Sequence, residues 1–179
     1  MALTLIILAF GHQIYAADQA NIGIVLNEVM VDLSAPLVFG GLLATLYGLG
    51  QTIGSTPAGW MLGRMGPKST FSFGIGIFSL FTFLTGLAKT YWDASLYRVV
   101  FGIGEGVWNV AYYATVGMLF AKRRGLANAA LSVMFPIGTL WGAPATALIF
   151  VWSGDWRTVF YIFGALGFLM LAVIVLAVT

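Results

Sequence analysis

Cysteine is absent from this 179-residue sequence, and histidine occurs once, as His12. The first absence removes disulfides, thiolate nucleophiles and thiolate metal ligands, and the second leaves no multi-histidine metal site within one chain. No metal or other cofactor is therefore expected, and no enzyme constellation surrounds His12. Charge is equally scarce. Asp, Glu, Lys and Arg make up 8% of the residues, against roughly 25% in soluble domains. The formal net charge of +2 gives no electrostatic footprint for nucleic acid. What fills the chain instead is apolar: 60% hydrophobic residues and a mean hydropathy of +0.98. That composition belongs in a lipid bilayer.

A hydrocarbon core about 30 Å thick takes about 20 apolar residues per helix, so six spans use roughly 120 residues. The remainder supplies short connections, and no second soluble domain fits. Apolar stretches fall at 3–27, 36–62, 69–88, 91–119, 125–150 and 157–178, which predicts an all-α, polytopic bundle of six transmembrane helices forming a single domain over residues 1–179. No basic residue precedes the first apolar run, so it is expected to remain as a span, not to be removed as a secretory signal. The breaks between spans read "NEVMVDLSAP", "GRMGPKS", "AKTYWD", "AKRRG" and "WSGDW", each with turn formers or charges. Arg64 and Lys68 in the second break and Lys122, Arg123 and Arg124 in the fourth face Lys89 and Arg157 on the other side. The excess of basic residues places the second and fourth breaks, and with them both termini, in the cytoplasm of an inner-membrane protein.

Against this background the fourth span is unusual. "YRVVFGIGEGVWNVAYY", from Tyr97 to Tyr113, places Arg98 and Glu105 seven residues apart, nearly two helical turns, on one face and about 10 Å apart along the axis. Gly102, Asn109 and Tyr112 continue that face. On the first span Tyr15 and Asp18 share a face flanked by His12 and Gln19. A stripe of this kind cannot face acyl chains, because an arginine or aspartate at mid-membrane costs at least about 2.5–3.5 kcal/mol. It must line a cavity or meet another helix. Two carboxylates, Asp18 and Glu105, stand against one guanidinium, and a buried carboxylate without compensation takes up a proton. Arg98 offers a flat, permanently charged fork suited to a carboxylate or phosphate group. The pattern thus points to an anionic solute moving with protons, and the alternative is an ion cluster that pins two helices. Tyr15, Gln51, Asn109, Tyr112 and Tyr113 are placed to hydrogen-bond a hydroxylated solute or to glue helices together. His12 reads as a neutral packing residue or as a relay member. The second and fifth spans carry small residues at four-residue spacing, including Gly40, Ala44, Gly48, Gly138 and Gly142, which suits close helix approach.

Three stretches carry a resemblance. "GWMLGRMGPKS" resembles the loop signature of the major facilitator superfamily, with Gly59, Arg64, Gly66 and Lys68 in place; Gly63 stands at the family's aspartate position and Pro67 at its second basic position. "YRVVFGIGEG" resembles the fourth-helix pattern of the anion:cation symporter branch, which includes sialin-like and sugar-acid (hexuronate) carriers. "YAADQANIG" is similar to that branch's first-helix stretch, with Gln19 where the branch carries arginine. The resemblance implies a half-bundle of 3+3 inverted repeats, the first six helices of a twelve-helix carrier. It also implies proton-linked or potential-linked transport of organic anions, with Asp18 and Glu105 as coupling carboxylates and Arg98 at the substrate. Gln19 implies either a less charged solute or a sodium-coupled, inactive or repurposed chain.

The expectation is therefore one half of a secondary active transporter for a small organic anion, a sugar acid or carboxylate, working by alternating access with a second six-helix unit. Arg98, Tyr15, Gln19, Gln51, Asn109 and Tyr112 are the expected substrate ligands, and Asp18 and Glu105 the proton-coupling pair. Gly59, Arg64, Gly66 and Lys68 form the gating loop. The alternative is a non-transporting subunit of a larger membrane complex.

Overall fold

The computed structural model describes residues 2–177 and is helical throughout apart from short connections. The helices are α1 (Ala2–Ile24), α2 (Leu26–Asp32), α3 (Phe39–Thr85), α4 (Tyr91–Leu119), α5 (Arg124–Ser132), α6 (Met134–Ser153) and α7 (Trp156–Ala177). Two helical stretches, 124–153 and 156–177, are long and apolar enough to cross a membrane by length and composition alone. The others carry more polarity along their length.

Local chemistry explains the start of α4, the end of α6 and a break inside α3. Thr90 and Asp93 form a reciprocal capping box at the start of α4, Thr90 Oγ1 accepting from the Asp93 amide at 3.1 Å and an Asp93 oxygen accepting from the Thr90 amide at 2.9 Å. α6 stops at Gly154, which adopts φ 69° and donates its amide to the Phe150 carbonyl at 2.8 Å, a left-handed end that glycine tolerates best. α3 is a single run only in its hydrogen bonding. It breaks at Gly66, with φ 77° and ψ 169°, a conformation essentially confined to glycine. Pro67 then suits the first turn of the helix that follows, because its missing amide would have had no partner there.

The segment after α1 departs from expectation. The stretch 28–35, expected as a break, contains the helical turns of α2, because Val25, Val29 and Leu33 recur every fourth residue and are all buried.

α3 packs most extensively on α4, followed by α1 on α6 and α3 on α7. The α3–α4 contact is a meeting of backbones. A Cβ added at Gly102 would lie 2.4 Å from the Tyr47 carbonyl oxygen, so only glycine admits this approach. The same holds between α6 and α1, where a Cβ at Gly142 would lie 2.5 Å from Ala17. The interior is built from aromatics, among them Phe71, Phe78, Phe101, Trp108 and Tyr112, together with the buried polar residues Asp18, Asn21, Thr82, Arg98, Glu105 and Thr146. Large apolar side chains point outward instead: Leu37 is 93% exposed and Leu176 is 83% exposed. An outward face of large apolar side chains suits a surface that meets hydrocarbon or another apolar protein face.

Candidate functional site

A cavity of about 370 Å³ opens between α1, α2, the first part of α3, and α4. Gln19, Tyr47 and Arg98 supply its polar lining, and Leu26, Leu43 and Ala44 belong to its apolar wall. α4 delivers Arg98 because Gly102, one turn on, lets the helix come against α3. The guanidinium is only 3% exposed and lies over two rings, 4.8 Å from the Phe101 centroid and 5.5 Å from that of Phe160. Two ring faces favour the cation there without neutralising it. Its Nε is buried and has no hydrogen-bond partner.

The carboxylates sit behind this opening and do not line it. Asp18 is 1% exposed and Glu105 is fully buried. The ion pair found among the described residues joins Arg157 and Asp32, at 2.6 Å. Arg98, Asp18 and Glu105 therefore act on one another through space, not through direct pairing within 4.0 Å. Neither oxygen of Glu105 has a hydrogen-bond partner, although the Tyr47 hydroxyl lies near it. Asp18 is better served: the Thr82 hydroxyl donates to Oδ2, and Asn21 Nδ2 donates to Oδ1 at 3.1 Å. No direct ion pair joins the three groups, and Glu105 is the one carboxylate of the two that no hydrogen bond reaches.

The hub of the polar lining is Tyr47, which the sequence reading did not single out. Its hydroxyl accepts from Gln19 Nε2 at 2.7 Å and from Gln51 Nε2 at 3.1 Å. The signal available in the sequence was its position four residues before Gln51, on the same helix face. The Gln19 Oε1 acceptor is buried and unpaired.

The remaining expected ligands lie elsewhere. Asn109 Nδ2 donates to the Tyr15 hydroxyl at 2.7 Å, and neither residue lines the cavity. Tyr112 stacks on His12 with ring centroids 4.2 Å apart and directs its hydroxyl to the Leu131 carbonyl at 3.4 Å. His12 is enclosed by Tyr15, Tyr112, Tyr113 and Phe135, and neither ring nitrogen has a hydrogen-bond partner. The loop residues follow a different pattern. Gly59 and Arg64 are exposed, Gly66 forms the sharp break, Lys68 is half-buried, and the Arg64 guanidinium lies 5.1 Å from the centre of the Trp60 ring. Among the described residues, no group of three or more His, Asp or Glu side chains is placed to hold a metal ion.

Comparison with known proteins agrees with this architecture. The chain is 29% identical over 178 residues to the "Probable galactarate/D-glucarate transporter GarP" of Escherichia coli K12, covering 95% of this chain and 40% of that protein. It is 26% identical over 164 residues to the "Probable L-galactonate transporter" of the same organism, covering 91% of this chain and 36% of that one. The chain thus spans about two fifths of the length of these relatives. Among solved structures, a D-xylose-proton symporter superposes with a TM-score of 0.84 at 17% identity, covering 98% of this chain and 48% of that one. A bacterial homologue of the human lysosomal transporter Spinster, in an inward-facing and occupied conformation, gives 0.82 at 21% identity, covering 99% and 44%. The family model of the Major Facilitator Superfamily matches residues 8–179, so the chain belongs to that superfamily of membrane transporters.

Proposed function

We propose that the chain is one six-span half of a secondary carrier for a small hydroxylated organic anion, coupled to protons and working by alternating access with a second six-helix unit. In this reading the spans form 3+3 inverted repeats with both termini in the cytoplasm of an inner-membrane protein, and the break at Gly66 lies on the cytoplasmic side with Arg64 and Lys68. The observation that carries the proposal is Arg98, buried and unpaired yet opening onto a cavity whose other polar groups are the neutral Gln19 and Tyr47. A guanidinium held over two rings with no carboxylate against it is ready for a carboxylate brought by the solute, and the unpaired Gln19 acceptor can meet a solute hydroxyl. The names of the relatives support the sugar-acid class. Asp18 and Glu105, sealed behind the cavity, are the groups whose proton occupancy would bias which side opens.

Uptake of a labelled sugar acid into proteoliposomes, using the chain extracted with its native membrane neighbours, tests the reading. Arg98→Lys keeps the charge and loses the planar fork, so uptake should fall to the empty-liposome level. Unchanged uptake in that variant removes Arg98 as the anion ligand. Recovery of the chain only with unrelated subunits, and with no uptake in the unaltered protein, would point to an assembly role instead.

A further inference from the structure

α6 packs on α1 through a narrow face. The buried residues of α6 are Gly138, Gly142 and Thr146, at four-residue spacing, and all three meet α1. The two glycines offer a smooth surface against Gln13, Ala16 and Ala17. Thr146 is the one polar group on that face, and its hydroxyl lies 2.5 Å from Asn21 Oδ1. Asn21 in turn donates through Nδ2 to Asp18 Oδ1 at 3.1 Å, while Thr82 of α3 donates to Asp18 Oδ2. A continuous line of buried hydrogen bonds therefore runs from α6 through α1 to α3, with the Asp18 carboxylate in its middle.

The chemistry of an amide gives this line a direction. Asn21 can present its NH2 group, which stabilises a carboxylate, or its carbonyl oxygen, which stabilises a carboxylic acid by accepting the acid proton. With Thr146 engaging Oδ1, the amide is locked with Nδ2 on Asp18. Release of Thr146 frees the amide to turn. The threonine loses little, because its single proton already has a second acceptor: the Gly142 carbonyl oxygen stands 2.9 Å away. α6 is also a weaker helix at this point than a regular one. Pro144 lies two residues before Thr146 and removes one backbone hydrogen bond from the helix interior. The other groups bearing on Asp18 are Arg98 and Glu105 of α4, which act through space, whereas α3 and α6 present neutral hydroxyls.

We propose that Asn21 and Thr146 are positioning residues that report the place of α6 to Asp18 and so set whether its carboxyl holds a proton. The inference rests on Asp18 being a coupling carboxylate. It deepens that reading by naming how helix movement reaches the carboxyl without any charged group crossing the bundle. In the arrangement seen here the amide favours the ionised form; with α6 displaced, Asp18 takes up a proton from the cavity side, keeps it, and hydrogen-bonds through it to the turned Asn21 carbonyl oxygen.

Infrared difference titration of the full chain in liposomes tests this without requiring transport. Asp18→Asn assigns the carboxyl band by its disappearance. Thr146→Val, close in shape but without the hydroxyl, should move the midpoint of that band toward alkaline pH by roughly one unit, tenfold in proton concentration, the scale of a hydrogen bond to a charged group. Thr146→Ser, which keeps the hydroxyl, should titrate with the unaltered protein. Thr146→Ala serves in place of the valine variant should that one fail to insert. If the hydroxyl-free variant and the unaltered protein titrate together while the Asp18→Asn control removes the band, the threonine is packing only and the relay is overturned. If Asp18→Asn removes no titrating band, the coupling role of Asp18 itself fails, and the relay falls with it.

Discussion

Asn109 of α4 and Tyr15 of α1 are joined by a hydrogen bond of 2.7 Å, the amide donating to the phenol oxygen, although 94 residues separate them in sequence. The polar stripe of the fourth helix thus ends against the first helix and not in the cavity. This predicts a structural role for the pair. Asn109→Ala and Tyr15→Phe, alone and together, should give a coupling energy of about 0.6–1.7 kcal/mol in unfolding from detergent micelles, the range of side-chain hydrogen bonds between membrane helices. Additive single effects would show that the bond contributes nothing.

A second link joins α2 to α7. Arg157 Nη1 contacts Asp32 at 2.6 Å, Arg157 Nη2 donates to the Ala88 carbonyl at 3.1 Å, and Trp156 Nε1 donates to Asp32 at 3.2 Å. The hydrogen bond from Arg157 holds the Asp32 carboxyl below its ordinary value of 3.8. Because the folded state binds the proton less tightly than the unfolded chain, the contribution is complete at neutral pH and is lost as pH falls below the unfolded value. Both side chains are partly open to solvent, which limits the effect to about 0–1 kcal/mol. Arg157→Ala should therefore lower the melting temperature slightly at pH 7 and in low salt, and the difference should vanish in acid. An equal deficit at every pH would assign the loss to the contact with the Trp156 ring instead.

How much of this is legible in the sequence depends on whether the determining contacts are local. The start of α4 is legible because Thr90 and Asp93 are three residues apart and cap one another. The break at Gly66 is legible because Gly-Pro is a punctuation that few helices cross. The burial of Arg98 and Glu105 follows from the cost of charge in lipid. By contrast, the turn residues after α1 conceal a helix that burial at Val25, Val29 and Leu33 decides. Tyr47 carries no sequence signal beyond its four-residue spacing to Gln51 until α1 brings Gln19 to its hydroxyl. The Thr146–Asn21 contact spans 125 residues and depends on α6 lying against α1, which no local spacing encodes.

That α6–α1 contact yields a packing prediction. A Cβ at Gly142 meets Ala17 at 2.5 Å, backbone as well as side chain, so no rotamer change relieves it. Gly142→Val should force the helices apart and cost about 1–3 kcal/mol, seen as a lower melting temperature of the purified chain. Gly63→Ala is the control: its Cβ would meet nothing within 4 Å, and the helix should gain up to about 1 kcal/mol. Equal behaviour of the two variants would mean that the close approach is not a feature of the folded protein in lipid.

Glu105, with both oxygens buried and unpartnered, is proposed to carry a proton during part of the cycle. Glu105→Gln mimics the protonated form permanently and removes a buried group that is costly when ionised. The variant should insert at least as well as the unaltered protein and retain solute exchange at near-normal rates. It should also lose accumulation driven by a pH gradient, measured as the plateau of labelled solute in proteoliposomes. A plateau that still follows the imposed gradient would exclude Glu105 from coupling.

Tyr47 gives the sharpest test of the cavity as a solute site. Its hydroxyl accepts from two amides at once, Gln19 and Gln51, so its own proton remains free to be donated. Tyr47→Phe keeps the ring beside Phe101 but leaves both amide NH2 groups without this acceptor. A buried donor left unsatisfied costs about 1–3 kcal/mol, a factor of roughly 5–150 in an equilibrium constant. Gln19 would then swing away from the position in which its unpaired carbonyl faces a solute hydroxyl. Affinity for a hydroxylated carboxylate should fall by that factor, whereas affinity for a carboxylate of similar size without hydroxyl groups should change little, because Arg98 is untouched. Competition binding in membranes distinguishes the two ligands directly. An equal loss for both would show that Tyr47 supports Arg98 and does not select the solute.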